Sequence, residues 1–336
     1  MDIKTLNLLT LIFFVLTSPR HSTAGESIMT RSSNSENIMA RQLIDKLYEG
    51  IPQEIKGHRV NHAKGIVLSG TFTPTKQAKQ ISTAPHFATT TPIIVRLSNS
   101  TGIPDIEDQN PKASPRGIAI RFKLRNQQIT DLIGHSVEGF PVDTPEEFIK
   151  FLSIANQASN KPDQFSEYVE THLASKRFFS LLGRTPQSFA TTAFYPLHAF
   201  KFINKDKTIT IGRYIIQPVQ GVHYLNEEQA KAKDKNFLSL ELRDQLKKAP
   251  VQYRLLLQIA NPTDDLMHIS QPWHGEHKII DLGRISLTDV LDNQIIADQS
   301  LIFDPTRLSS GIESVKDPMF EIRSPAYQLS KIRRTE

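Results

Sequence analysis

The chain contains no cysteine. That absence excludes disulfides, thiolate nucleophiles, zinc ribbons, iron–sulfur clusters and other thiolate-ligated metal cofactors. No apolar run reaches the roughly 20 residues a membrane helix needs; the run at 6–17 is shorter. No internal repeat, low-complexity block or Pro/Gly/Ser linker interrupts the middle of the chain, so one domain is expected. The formal charge is only +5 over 336 residues. It is spread without a basic stripe or interleaved aromatics, so nucleic acid is not an expected partner.

What is present begins with the N-terminus. The apolar run follows Lys4 and precedes Ser22-Thr23-Ala24, a small-residue cleavage pattern. Together they read as a signal peptide over 1–24, with a periplasmic or secreted product and no membrane span once it is removed. Cleavage after Ala24 leaves 312 residues and, since Lys4 and Arg20 leave with Asp2, a charge of +4. That length suits one large core. Residues 25–40, rich in Ser, Asn and Thr, read as a flexible lead-in. Residues 41–336 read as the folded domain.

Helical spacing of Leu43, Ile44, Leu47 and Tyr48 predicts a short helix over 41–50. Segments rich in Ile, Val, Phe and Thr predict strands at 59–73, 92–100, 116–124, 127–135, 198–203, 208–217, 251–260 and 278–287. Asn204-Lys205-Asp206-Lys207 reads as a hairpin turn. A capping box at Thr144-Pro145-Glu146-Glu147 opens a helix that carries Phe148 and Phe151. Further helices are expected over 163–182, 226–248 and 318–334. The expected class is α+β: a closed antiparallel β-barrel of about eight strands with flanking helices and a C-terminal helix. W-H-x-x-H at 273–277 lies between Pro and Gly residues and reads as a surface loop rather than a metal site.

Two patterns carry chemistry. Residues 59–65 read R-V-N-H-A-K-G, centred on His62. Histidine suits proton transfer near neutral pH, and a strand would fix its direction by the pleat. Residues 303–327 read F-D-P-T-R-L-S-S-G-I-E-S-V-K-D-P-M-F-E-I-R-S-P-A-Y. A phenol titrates near 10, so Tyr327 would be a good metal ligand only with its anion stabilised. Arg323, four residues earlier on the same helix face, is the cation placed to do so. Arg59, Arg96 and Arg334 are candidates to pair with carboxylates, which arginine grips bidentately.

These patterns resemble the haem catalase family, and in particular its short form, the catalase-related peroxidases. The resemblance covers most of 41–336. It extends to R-L-S at 96–98, R-G-I-A-I-R-F at 116–122, D-L-I-G at 131–134 and H-A-F-K-F at 198–202. It implies a catalase-like barrel whose C-terminal helix carries the haem ligand. It implies haem b with Tyr327 as axial ligand, His62 as the acid–base residue and Ser98 beside it. Arg59, Arg96 and Arg334 would hold the haem carboxylates, and Phe148 would pack on the haem face. Asp317 and His198 would hydrogen-bond around Arg323. Ser136, with His135 beside it, stands where full catalases carry an asparagine. That departure favours peroxidase turnover over hydrogen peroxide disproportionation.

The expected function is therefore an exported haem peroxidase in oxidative-stress defence. It would reduce hydrogen peroxide and organic peroxides with a small-molecule or protein electron donor. The alternatives are a small true catalase, an enzyme rearranging lipid hydroperoxides, and a non-enzymatic haem binder. A monomer or small homo-oligomer is expected, since the tetramer contacts and nicotinamide site of full catalases are not implied.

Overall fold

The computed structural model describes residues 24–51 and 57–335, with side chains from Ser35 onward apart from Ile295. The signal-peptide reading of 1–24 falls, but for Ala24, outside the described residues. The chain divides into two units, 1–35 and 36–336. Of the first, only the backbone of an opening helix is described; everything below concerns the second.

Among the described residues, nine strands form one antiparallel sheet: β1 Gly65–Pro74, β2 Thr91–Ser98, β3 Gly117–Lys123, β4 Ile129–His135, β5 Ala199–Ile203, β6 Ile209–Pro218, β7 Val251–Ile259, β8 Ile279–Val290 and β9 Ile312–Ser314. Their spatial order is β4-β3-β2-β1-β8-β7-β6-β5-β9. The sheet curls into a half-barrel whose edge strands β4 and β9 do not pair, in place of the closed barrel expected; irregular contacts bridge the gap. The joint consists of a bridge between His135 and Tyr195, a second between Phe194 and Ile216, and the Asp131 N–H donated to Arg307 O at 3.3 Å.

Among the described residues there are ten α-helices: α1 Ala24–Glu49, α2 Ala78–Ile81, α3 Pro145–Ala155, α4 Pro162–Thr171, α5 Leu173–Ser180, α6 Glu227–Lys231, α7 Phe237–Leu246, α8 Gln294–Ser300, α9 Pro318–Glu321 and α10 Arg323–Thr335. The helix expected over 41–50 is the end of the longer α1, which also takes in the stretch 25–40 expected as a flexible lead-in. The helix expected over 163–182 is two, broken at His172, and that over 226–248 is two, broken between Ala232 and Asn236. The capping box of α3 is present, with Glu147 N–H donated to Thr144 Oγ1 at 3.2 Å.

Strand alternation divides the residues between the barrel's two faces. On β2, Ile93, Val95 and Leu97 enter the central core with Ile118, Ile120 and Phe122 of β3. The intervening Arg96 and Ser98 point to the other face, and both are buried there as well. What buries them is a second layer, in which Leu43 and Ile44 of α1 cluster with Ile322 and Ala326 near and on α10.

The segment 303–307 anchors that layer. Arg121 on β3 pairs with Asp131 on β4 at 2.7 Å, and Asp131 Oδ2 accepts the Asp304 N–H at 2.9 Å. Buried Asp304 then accepts from Thr306 N at 3.0 Å and from Ser324 Oγ at 2.8 Å. The F-D-P-T pattern thus ties the barrel to the first turn of α10.

Candidate functional site

Between the outer face of β2–β4 and the C-terminal helices lies a cavity of about 280 Å³. His62, Ser98, Phe148, His198, Arg323, Tyr327 and the three arginines Arg59, Arg96 and Arg334 all line it. Asp317 stands just behind His198. The structure therefore brings residues separated by up to 275 positions around one space.

The strand wall is built on a cross-strand row. Ser98 pairs with Gly117, and Gly117 with His135. His62 leans on this row, its Nδ1 lying 3.1 Å from Ser98 Oγ. A Cβ on Gly117 would stand 2.7 Å from both of those atoms, so only glycine leaves room for the ring.

His62 itself does not belong to a strand, contrary to the expectation for 59–73. β1 begins at Gly65, and His62 adopts a left-handed φ of 56°. The cause is Asn61, whose Oδ1 accepts from both His62 N at 2.9 Å and Thr101 N at 2.8 Å. That short polar side chain takes the hydrogen bonds a strand would need, so a turn sets the ring's direction. Burial, with Arg96 and His135 adding, pushes the His62 imidazole down to about 3, so it is neutral at physiological pH.

The helix wall carries a continuous relay. Asp317 caps α9, accepting from Phe320 N at 3.0 Å. Its other oxygen lies 2.8 Å from His198 Nδ1, His198 Nε2 lies 2.9 Å from Arg323 Nη1, and Arg323 Nη2 donates to Tyr327 Oη at 2.6 Å. The arginine can only donate, so Nε2 accepts and Nδ1 holds the proton given to Asp317. Asp317 is wholly buried, and burial pushes His198 down despite the pull of that carboxylate. Phe148 completes the apolar wall, its ring 5.1 Å from that of Phe140.

At a third end, the cations Arg59, Arg96 and Arg334 converge. Arg59 Nε and Arg96 Nε both reach Asp298 Oδ1, the first at 3.2 Å. Arg59 Nη2 and Arg334 Nη2 share Leu301 O, at 2.8 and 2.9 Å. Gly65 explains the last letter of the His62 motif: a Cβ there would meet the Arg96 guanidinium at 2.5 Å.

One residue escaped the sequence reading, and one position named there with its neighbour is resolved by the structure. Asp298 lies on α8, a seven-residue helix that no strong periodicity marks. His135, rather than Ser136, lines the cavity; Ser136 Oγ accepts from Arg116 N at 2.9 Å. The strand register was the available signal, because His135 falls in the row with Gly117 and Ser98. The loop at 273–277 is also less exposed than expected. Trp273 is buried beneath Arg213, 4.4 Å from its ring, and His277 pairs with Asp264 at 2.8 Å. No group of three potential metal ligands of the His, Cys, Asp or Glu type occurs among the described residues, and no described helix is long and apolar enough to cross a membrane.

Comparison with known proteins agrees with this architecture. A family model described as catalase matches residues 21–336. A catalase-related peroxidase of Mycolicibacterium paratuberculosis is 33% identical over 283 residues, covering 83% of this chain and 90% of that relative. One from Synechococcus elongatus is 30% identical over 287 residues, covering 83% and 84%. Among solved structures, a fungal catalase superposes with a TM-score of 0.74 at 21% identity, over 82% of this chain and 59% of that one. Catalase A from Saccharomyces cerevisiae gives 0.74 at 19% identity, over 82% and 61%. The chain therefore spans about three-fifths of the length of those full catalases.

Proposed function

From the premise that the chain belongs to the catalase family, we propose that it is a haem peroxidase that reduces peroxides with an external electron donor. The family implies haem, and the cavity's own chemistry fits that group. Arg59, Arg96 and Arg334 offer cations to carboxylates at one end, Phe148 and its neighbours offer apolar walls, and Tyr327 offers an oxygen for iron. Haem, when bound, supplies the redox centre through which oxidising equivalents pass from peroxide to reductant.

The observation that carries the reading is the relay from Asp317 through His198 and Arg323 to Tyr327 Oη. A cationic donor held 2.6 Å from the Tyr327 oxygen is the partner that an oxygen ligand to ferric iron would need. Asp317 supports the arrangement by fixing the His198 tautomer, so that Nε2 aims its lone pair at Arg323. On the opposite wall, His62 is neutral and its Nδ1 is engaged by Ser98. Its Nε2 is then the atom that takes a proton from one peroxide oxygen and returns it to the other as that oxygen leaves as water or alcohol. Full reduction to alcohol and water, or to two waters, takes two electrons from the donor and two further protons from donor and solvent together.

Haem reconstitution followed by peroxide consumption with and without an organic donor tests this reading. The expected result is a high-spin ferric spectrum with donor-dependent turnover. His62→Ala should keep haem and lose about 10²- to 10⁴-fold in turnover. Oxygen release without a donor would identify a small catalase instead. Isomerised fatty-acid hydroperoxides would identify a rearranging enzyme, and haem without peroxide consumption a carrier. We propose export alongside, supported by the 1–24 pattern, and an oxidative-stress role that would follow from peroxide removal; N-terminal sequencing of the exported form should begin at Gly25.

A further inference from the structure

We infer that Asp298 is a positioning residue that sets the cavity's arginine end for a dicarboxylate, matching two carboxylates by charge and by geometry. This deepens the haem reading above and rests on it. Arg59 comes from the turn before β1, Arg96 from the middle of β2 and Arg334 from the last turn of α10. Three cations this close repel one another and resist burial. Burial brings the Arg96 guanidinium down to about 10, with Asp298 opposing and Arg59 adding. Burial and Arg59 do the same to Arg334. Among the described residues, Asp298 is the one carboxylate paired with Arg59 and Arg96. Against its own burial, those two arginines hold it below the usual carboxylate range, so it stays charged. Three cations and one anion leave two positive charges, the count a dianion neutralises.

The geometry agrees with the charge. Asp298 Oδ1 takes the Nε edge of both Arg59 and Arg96, and Oδ2 lies 3.3 Å from Arg96 Nη2. Backbone oxygens take the Nη2 groups: Ala63 O from Arg96 at 3.2 Å, Asp298 O from Arg59 at 2.9 Å and Leu301 O from both Arg59 and Arg334. Among the described residues, Nη1 of each arginine makes no hydrogen bond, and buried Arg334 Nε also lacks a partner. Asp298 thus takes the Nε edges of Arg59 and Arg96 and leaves the Nη1 groups of these cavity-lining arginines without a hydrogen-bond partner among the described residues. A flat apolar molecule with two carboxylates on one edge is the chemistry that fits. Without Asp298 the Nε edges lose their common anchor and the charge rises to three.

The test is a titration of cofactor-free protein with ferric protoporphyrin and with its dimethyl ester, which has no carboxylate charge. Asp298→Asn should weaken the diacid about tenfold, roughly 1.4 kcal/mol, and leave the diester within about twofold. Asp298→Glu keeps the charge and should keep most of the diacid preference. Equal weakening of both forms, or no change in either, would make Asp298 a structural ion pair and overturn the inference. Tighter diacid binding by the asparagine variant would also overturn it, making Asp298 a competitor for the arginines. If the unsubstituted protein bound neither form, the haem reading would fail and this inference with it.

Discussion

Two glycines and one tyrosine concentrate the site's demands on single residues. Gly65 and Gly117 are close-approach positions, where the guanidinium of Arg96 and the ring of His62 rest on bare backbone. Gly117→Ala should displace the His62 ring, cost about 1–3 kcal/mol of stability, and lower turnover by roughly 10²-fold while haem remains bound. Denaturant unfolding and steady-state peroxide consumption check the two parts separately. Tyr327→Phe removes the oxygen to which Arg323 donates. It should abolish stable haem loading and destabilise the cofactor-free protein by about 1–3 kcal/mol, because a part-buried donor is left without its acceptor. An unchanged absorption spectrum after reconstitution would refute the ligand assignment.

At the scale of elements, each wall of the cavity is aimed by local chemistry remote from the reacting atoms. Asn61 bends the chain before β1, Asp304 ties the barrel to α10, and the capping box starts α3 so that Phe148 falls at its fourth residue, toward the cavity. The capping box was legible in sequence because its signals are four adjacent residues. The break at His172 was not, because the helical periodicity runs through it and nothing local marks the stop. Thr144→Ala removes the acceptor for Glu147 N and should cost about 1 kcal/mol. In a protein of this size that is a melting shift of about 2 °C. Haem affinity should be unchanged, since the packing of Phe148 on Phe140 still holds the helix in place.

At the scale of the molecule, one curled sheet serves two purposes, with an apolar core on one face for stability and the other face for chemistry. Its buried histidines make stability pH-dependent. Burial brings His62 and His86 down to about 3 and His135 to about 4. Arg96, Arg59 and His135 add to the effect at His62, and Arg323 and His198 at His135. His86 lies among Phe72, Phe87 and Phe122. Unfolded histidine titrates near 6.5. Below that pH the unfolded chain binds protons that the folded chain does not, so stability rises with pH across this window. The cofactor-free protein should be most stable above about pH 6.5 and lose stability steadily toward pH 4. Unfolding near pH 5 should take up about three protons from these sites. Urea midpoints at pH 5 and 7.5 check the slope, and a pH-independent midpoint would refute it.

The sequence by itself determined the class, most strand positions and the α3 cap, because alternation and capping are local signals; most of the residues that meet in the cavity were legible only through the resemblance of their motifs to the catalase family. Tertiary structure alone decided three things. His62 is aimed by a left-handed turn, since Asn61 finds Thr101 only in the folded chain. His135 rather than Ser136 faces the cavity, since strand register rather than composition chooses the face. Asp298 sits among the arginines because α8 packs beside β1, bringing Asp298 to Arg96 over a separation of 202 residues that no local pattern encodes.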